Sequence, residues 1–171
     1  MKGPISSFLG EDHRRIDGLL RASIVGDPID ASAFEAFRGA LLRHIGMEEK
    51  ILLPAARRLR GEPLPIARQL KADHAALAAL LVPTPTRAII DQLRSVLDAH
   101  NVLEEEAGGL YETCDGLAAD EAVDLVARLQ AAHDVPLAPH YDGPRAFEGI
   151  ERLLRAAGRH RLTAQTPVPD R

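Results

Sequence analysis

Two pairs of histidine and glutamate stand at the spacing that places two side chains on one face of a helix. His44 is followed four residues later by Glu48, and His100 is followed four residues later by Glu104. Residues i and i+4 of a helix are neighbours, with Cβ atoms about 5–6 Å apart. Apolar residues at positions −7, −4 and −3 from each histidine turn both pairs toward the core. Each pair can therefore direct an imidazole and a carboxylate to one point inside the protein.

Each pair is preceded along the chain by another histidine in a matching string. Asp12-His13 begins the string Asp-His-x-x-Ile-x-x-Leu-Leu, and Asp73-His74 begins the string Asp-His-x-x-Leu-x-x-Leu-Leu. The chain thus carries one design twice. Two helical hairpins related by pseudo-twofold symmetry are the natural interpretation.

Four imidazoles and two carboxylates inside an apolar core form the donor set of a metal centre. Such groups are costly to bury unless they are paired or bound to a cation. Imidazole suits Fe, Zn, Cu and Ni, and bridging carboxylates can hold two ions close together. Two ions that share both glutamates would each have four protein ligands, with open positions for a bridging oxygen and a small ligand. The candidate metal ligands are His13, His44, Glu48, His74, His100 and Glu104.

Other polar residues in these motifs could support the site or simply pack. Glu49 and Glu105 lie about 100° around the helix from the inward carboxylates, so we expect them to be solvated or to support the ligands. Asp12 and Asp73 either orient neighbouring groups or favour early helical positions. Tyr111 lies seven residues after Glu104, two turns further along one predicted helix, and we expect it to pack rather than to reach the metal pocket.

The remaining candidates for chemistry lie outside the repeated motifs. We expect Cys114 to behave as a small packed apolar residue, since no base stands near it in the sequence. His133 and His140 flank a proline-rich stretch and are expected to be exposed loop residues. His160 stands between two arginines and is expected to be solvated or attracted to a helix C-terminus.

Apolar periodicity predicts four long helices and two shorter ones. The long helices cover about 4–25, 30–60 with a kink at Pro54, 64–82 and 86–113, and the shorter ones about 120–133 and 145–158. The predicted fold is all-α: an antiparallel up-down four-helix bundle with two additional C-terminal helices, which look like an addition at one end. We predict one domain over 1–162, with the four-helix core at about 4–115, a helical extension at 118–160 and a disordered tail at 163–171.

Composition excludes several classes of protein. The chain has 171 residues and a net charge of −4, whereas a nucleic-acid-binding protein is usually basic. No apolar run is long enough to cross a membrane, and the N-terminus lacks the features of a secretory signal. The single cysteine forms no disulfide framework. We therefore expect a cytoplasmic protein without nucleic-acid or membrane partners; its oligomeric state does not follow from the sequence.

The complete set of motifs resembles the hemerythrin-like, HHE cation-binding proteins. The strings HIGMEEKILLP, from His44, and HNVLEEEAGGLY, from His100, are similar to the second- and fourth-helix motifs of that family, and the resemblance covers about 5–115. It implies a four-helix bundle around two non-haem Fe ions, joined by an oxo or hydroxo bridge, that bind O₂ or another small diatomic ligand. By the family pattern His13 and His44 would serve one iron, His74 and His100 the other, and the two glutamates would bridge.

The chain also departs from the oxygen-carrying members of that family. Those proteins place a second histidine one turn from the third-helix histidine, where this chain has Leu70 and Ala78 around His74. They also use His-x-x-x-x-Asp on the last helix, where this chain has His-x-x-x-Glu. The second metal position should therefore be more open. The pattern is nearer to bacterial relatives linked to nitric oxide, oxygen or iron handling, so O₂, NO and peroxide are all expected ligands.

Two alternatives remain open at the level of sequence. Zn or Mn could replace Fe, because the sequence fixes the ligands better than the metal. The chain could instead be a helical interaction or regulatory module with a structural metal or none. A ferritin-like site is excluded, because none of the glutamates is followed by histidine three residues later. The same sequence also contains no His-Glu-x-x-His motif.

Overall fold

The computed structural model describes residues 2–159, and every regular element in that range is helical. The fold class is therefore all-α, as predicted. The predicted tail at 163–171, the end of the predicted domain at residue 162 and His160 lie outside the described residues. The elements are α1 Pro4–Ser23, α2 Ala31–Met47, a π-helical turn Glu48–Leu52, α3 Leu53–Arg60, α4 Ala67–Leu80, α5 Arg87–Glu105, α6 Leu110–Ala118, a 3₁₀ turn Ala119–Glu121, α7 Ala122–Gln130 and α8 Pro144–Ala156.

Short polar side chains set the beginnings of the long helices. The Asp30 carboxylate accepts a hydrogen bond from the Ala33 backbone N–H at 3.0 Å and caps α2. The Thr86 hydroxyl caps α5 in the same way. Helix α1 is capped by a residue distant in sequence, because Asp115 of α6 accepts from the backbone N–H groups of Ile5 and Ser6. This tertiary cap fixes α6 against the start of α1.

The second predicted helix is continuous from α2 to α3, but it passes through a π-helical turn. The Leu53 N–H bonds to the Glu48 carbonyl, five residues back, in place of the ordinary four. The next residue, Pro54, has no N–H to donate, so the regular ladder cannot continue through it. The predicted kink at Pro54 thus takes the form of a π turn that begins at Glu48. Such turns occur frequently at functional sites.

The fourth predicted helix ends earlier than expected. We predicted a helix through residue 113, but α5 ends at Glu105 and α6 begins at Leu110. Gly108 has φ +77°, and a Cβ at Gly109 would lie 2.8 Å from the Glu104 carbonyl oxygen. Both glycines therefore permit a sharp turn that other residues would resist. The fifth predicted helix also differs: α7 follows a 3₁₀ turn, starts at 122 rather than 120 and ends at 130 rather than 133.

The core is divided into two apolar clusters. The first contains Ile16 of α1 and Phe37 of α2, together with Leu77 of α4 and Leu93 of α5. The second is built from the opposite halves of these helices, with Ile5 and Leu9 of α1, Met47 of α2 and Leu70 of α4, and also from α3, α6 and α7. Because the beginning of α1 packs with the end of α2, these two helices run in opposite directions.

The sequence suggested that the two C-terminal helices form an addition at one end, but the structure places them in different parts of the core. Helix α7 places Leu125 and Leu129 in the second cluster, whereas α8 places Ile150 and Leu154 in the first. The two helices are separated by an extended stretch along the protein, with the Tyr141 N–H bonded to the Val82 carbonyl. Both helices are therefore part of the core. No helix within residues 2–159 has the length and apolar character needed to cross a membrane.

Candidate metal centre

A layer of buried polar side chains lies among residues of the two apolar clusters. All six predicted metal ligands belong to it, and the carboxylates of Glu48 and Glu104 are both 0% exposed. Ionisable groups in such a position require close partners. The structure arranges them in two groups of four, and the ligand atoms of each group all lie within 4.8 Å of one another. The first group contains His13, His44, Glu48 and Glu104, and the second group contains Glu48, His74, His100 and Glu104.

Each glutamate contributes one oxygen to each group. Glu48 Oε1 lies 3.3 Å from His44 Nε2 in the first group, while its Oε2 lies 3.0 Å from His74 Nε2 in the second. Glu104 follows the same rule, with Oε2 3.3 Å from His13 Nε2 and Oε1 3.1 Å from His100 Nε2. The four Nε2 atoms therefore face two carboxylates that span both groups.

The other ring nitrogen of each histidine donates to a carboxylate outside the ligand set. His44 Nδ1 donates to Asp12 at 2.8 Å and His100 Nδ1 to Asp73 at 3.4 Å. The remaining two bonds run from His13 Nδ1 to Glu105 at 2.6 Å and from His74 Nδ1 to Glu49 at 2.9 Å. Asp12 and Asp73 thus orient histidines, and Glu49 and Glu105 support ligands, as two of the sequence interpretations proposed. Carboxylates in this position commonly orient metal-binding histidines.

The two aspartates are themselves held by arginines. Arg15 donates to Asp12 from the next turn of α1. Arg159, just beyond α8, donates to both oxygens of Asp73 at 3.0 and 2.8 Å. Burial disfavours the charge on Asp73, but bonds from His100 and Arg159 outweigh it and lower its pKa to about 2. Arg159 was missed by sequence reasoning, since only the docking of α8 brings it there.

Negative charge dominates the centre. Burial disfavours protonated His44 and His100, but the surrounding carboxylates, Glu48 and Glu104 first among them, outweigh this effect and raise both histidine pKa values to about 10. Burial also disfavours the charge on Glu48, but the neighbouring His44 and His74 outweigh this effect and hold its pKa well below its ordinary value. The site is therefore built to hold positive charge, whether as protons or as cations.

Two carboxylate oxygens of the centre indicate that a metal ion fits there. Within residues 2–159, Glu48 Oε2 and Glu104 Oε1 are buried and make no well-aligned hydrogen bond; a histidine Nε2 lies 3.0 Å from the first oxygen and 3.1 Å from the second. Both belong to the second group, where His74 Nε2 and His100 Nε2 lie only 3.2 Å apart. Unsatisfied buried carboxylate oxygens are uncommon in native proteins. A cation between these four atoms would satisfy them all, so the residues fit a metal ion.

Tyr111 reaches the centre, contrary to the sequence expectation. It packs in the second apolar cluster, as expected, but its hydroxyl lies 2.7 Å from Glu48 Oε1 and 3.0 Å from Glu104 Oε2. The expectation assumed one helix from Glu104 to Tyr111, whereas the chain turns at Gly108 and Gly109 and presents the tyrosine from α6. The two consecutive glycines are the sequence signal for this turn.

A cavity of about 270 Å³ leads from the surface to the centre. Its deepest residues include His13, His44 and His100. Apolar side chains such as Ile16, Leu41 and Leu77 form its walls, and charged residues of α1 and α5 are also among its lining residues. The volume is several times the roughly 30 Å³ that one water occupies in the liquid, so small molecules have room beside the histidines.

The remaining sequence candidates within the described residues do not belong to the two groups of donors. Cys114 is buried, as expected, and burial together with nearby carboxylates raises its pKa to about 12. His133 is exposed, also as expected. His140 is only partly exposed and bonds to Glu35 at 2.8 Å, so it anchors the extended stretch to α2 rather than moving freely in a loop.

Comparison with known proteins gives no relative from which a role could be transferred. The chain matches no protein-family model, no curated protein and no solved structure. The resemblance to hemerythrin-like proteins therefore rests on the motifs in the sequence and stays a prediction.

Proposed function

We propose that this chain is a hemerythrin-like protein that holds two non-haem iron ions and binds or converts a small molecule beside them. Helix α1, the continuous α2–α3 segment, α4 and α5 would form the four-helix bundle. The observation that carries the proposal is the shared use of Glu48 and Glu104. Each gives one oxygen to each pair of histidines, which is the arrangement that bridging ligands require.

The ligand assignment follows from the two groups of donor atoms. His13 and His44 would hold the first ion, and His74 and His100 the second, with both glutamates shared. Iron bound to this donor set would supply one-electron chemistry and a binding position for O₂, NO or peroxide. Imidazole and carboxylate also accept Zn and Mn, so the preference for iron rests on the family resemblance.

The surrounding residues prepare the donors. The four outer carboxylates each accept a hydrogen bond from Nδ1 of one histidine, so Nε2 is the ring atom of each histidine that would bind an ion. Apolar residues of both clusters limit the access of water to the layer. These contacts support rigid coordination rather than an adaptable surface site.

The cavity favours a small-molecule role over the alternative of an interaction module. A purely structural ion would need no path from the surface, whereas here a cavity lined by both apolar and charged side chains reaches three of the four histidines. Its volume of about 270 Å³ would admit a diatomic molecule or hydrogen peroxide. The expected location in the cytoplasm stays a prediction.

The test is to load the metal-free protein with ferrous ion under anaerobic conditions and to follow its absorption on addition of O₂, NO or peroxide. We expect a spectral change with at least one of these ligands in the wild type and in His133→Ala, whose imidazole is exposed. His44→Ala should lose the change. Bound iron that responds to none of the three would contradict the small-molecule role and favour a structural metal.

A further inference from the structure

We propose that Tyr111 is a further metal ligand, which supplies a phenolic oxygen to the ion of the first group only. The inference rests on the proposed metal centre and adds a residue that the repeated motifs do not contain. It makes the two metal positions chemically different, although the sequence presents them as near copies of each other.

The position of the phenolic oxygen carries the argument. It lies 3.0 Å from His13 Nε2, 3.3 Å from His44 Nε2, 2.7 Å from Glu48 Oε1 and 3.0 Å from Glu104 Oε2. These are the four donor residues of the first group. The hydroxyl is thus surrounded by the same atoms that would surround the ion.

Without a cation, hydrogen bonding satisfies only one of the two contacts between the hydroxyl and the carboxylates. A phenol has one proton and can donate it to only one of the two carboxylate oxygens. Within the described residues, nothing beyond these four atoms bonds to the hydroxyl, and Tyr111 is 1% exposed. A cation among the five atoms would satisfy the phenolic oxygen and both carboxylates together.

The second group has no equivalent of this residue. Within residues 2–159, Glu48 Oε2 and Glu104 Oε1 lie there beside histidine Nε2 atoms and no hydroxyl, whereas the other oxygen of each glutamate contacts the phenol in the first group. The chain contains only one other tyrosine, Tyr141, which is 51% exposed and belongs to the extended stretch. The phenol therefore distinguishes two otherwise matching sets of donors.

The fold holds the tyrosine in place. Asp115 lies one helical turn after Tyr111 on α6, and it accepts bonds from the backbone of α1 at Ile5 and Ser6. Tyr111 itself packs in the second apolar cluster, whereas the walls of the cavity include first-cluster residues such as Leu77. The phenol and the small-molecule path would thus approach the first ion from different parts of the core.

The binding step balances without a change of oxidation state. The O–H bond of Tyr111 breaks, a bond forms between the phenolate oxygen and the cation, and the proton is released to solvent. The carboxylates that contacted the hydroxyl become ligands of the same ion. No oxidant or reductant is required, so zinc, which is not redox-active, should produce the same ligation.

The experiment uses tyrosine absorption, because the chain has two tyrosines and no tryptophan. Zn²⁺ is added to the metal-free full-length protein, and the near-ultraviolet phenolate band is measured together with the number of ions bound. We expect one phenolate per chain in the wild type and in the matched control Tyr141→Phe, and none in Tyr111→Phe. With ferric ion, the wild type and Tyr141→Phe should show a visible phenolate-to-iron band that Tyr111→Phe lacks.

The outcomes separate this inference from the proposed function. Two bound ions without a phenolate band in the wild type would overturn the ligand role of Tyr111 and leave the metal centre intact. A rise from one ion in the wild type to two in Tyr111→Phe would also overturn it, since the phenol would then block the first position. A wild type that binds no metal would overturn the proposed function itself. Resonance Raman spectra of the ferric wild type, which require no variant, give the same decision if Tyr111→Phe does not fold.

Discussion

Asp12 accepts a hydrogen bond at 2.8 Å from Nδ1 of His44, the histidine of its own hairpin, rather than from its sequence neighbour His13. Asp73 has the corresponding relationship with His100. Nδ1 of His13 is held instead by Glu105, from the other hairpin. Each repeat thus supplies one carboxylate to a histidine of its own hairpin and one to a histidine of the other hairpin. These contacts join the two halves of the centre.

The first prediction concerns this orienting contact. The substitution Asp12→Asn should weaken metal binding about 10- to 100-fold, because the His44 ring loses the carboxylate that fixes its orientation. The measurement is a competition titration with a chelator of known affinity. Asp124→Asn, at an exposed position on α7, is the matched control and should bind like the wild type. Equal affinities for the two variants would show that Asp12 does not position the ligand.

The second prediction tests the shared carboxylates. Glu104→Gln keeps the shape of the side chain, but it removes the charge that both groups share and replaces one of the two ligand oxygens with an amide nitrogen. We expect fewer than two ions per chain by elemental analysis after dialysis. The control is Glu106→Gln, two residues away and exposed, which should retain the wild-type metal content. Full loading of Glu104→Gln would be incompatible with a bridging role.

The third prediction concerns Cys114 and pH. Burial raises its pKa to about 12, so almost no thiolate exists near neutral pH, and the thiolate is the nucleophile. Alkylation of the native protein should therefore be slow at pH 8, should accelerate as the pH rises toward 12, and should be fast at pH 8 once the chain is unfolded. Rapid alkylation of the folded protein at pH 8 would contradict the buried position.

The fourth prediction tests whether α8 is part of the core. Leu154 is 2% exposed and packs in the first apolar cluster, so Leu154→Ala should lower the free energy of unfolding by about 2–5 kcal/mol. Val123, on α7, is 70% exposed, and Val123→Ala should change the free energy of unfolding by less than about 0.5 kcal/mol. Denaturant titrations measure both values. A neutral Leu154→Ala would mean that α8 is only loosely attached.

The sequence predicted what depends on periodicity within one helix. Spacing alone placed His44 with Glu48 and His100 with Glu104, because residues four apart share a helix face. Their burial followed from the apolar stripes, and the structure brings all six candidates into one layer. The all-helical fold followed from the same patterns.

Features that depend on distant contacts did not follow from the sequence. Tyr111 reaches the centre only because the chain turns at Gly108 and Gly109, and Arg159 reaches Asp73 only because α8 docks on α4. Helices α7 and α8 join different clusters, although both follow the repeats in sequence. Local propensity does not encode which surface a later helix will cover.

The central claim is that the buried layer holds two metal ions. The most direct measurement is the number of ions per chain, determined by elemental analysis of the wild-type protein after anaerobic loading with ferrous ion and removal of unbound metal. We expect two ions per chain. Protein that is folded by circular dichroism but retains no metal would contradict the account, and the converging histidines and glutamates would then be a buried network of hydrogen bonds.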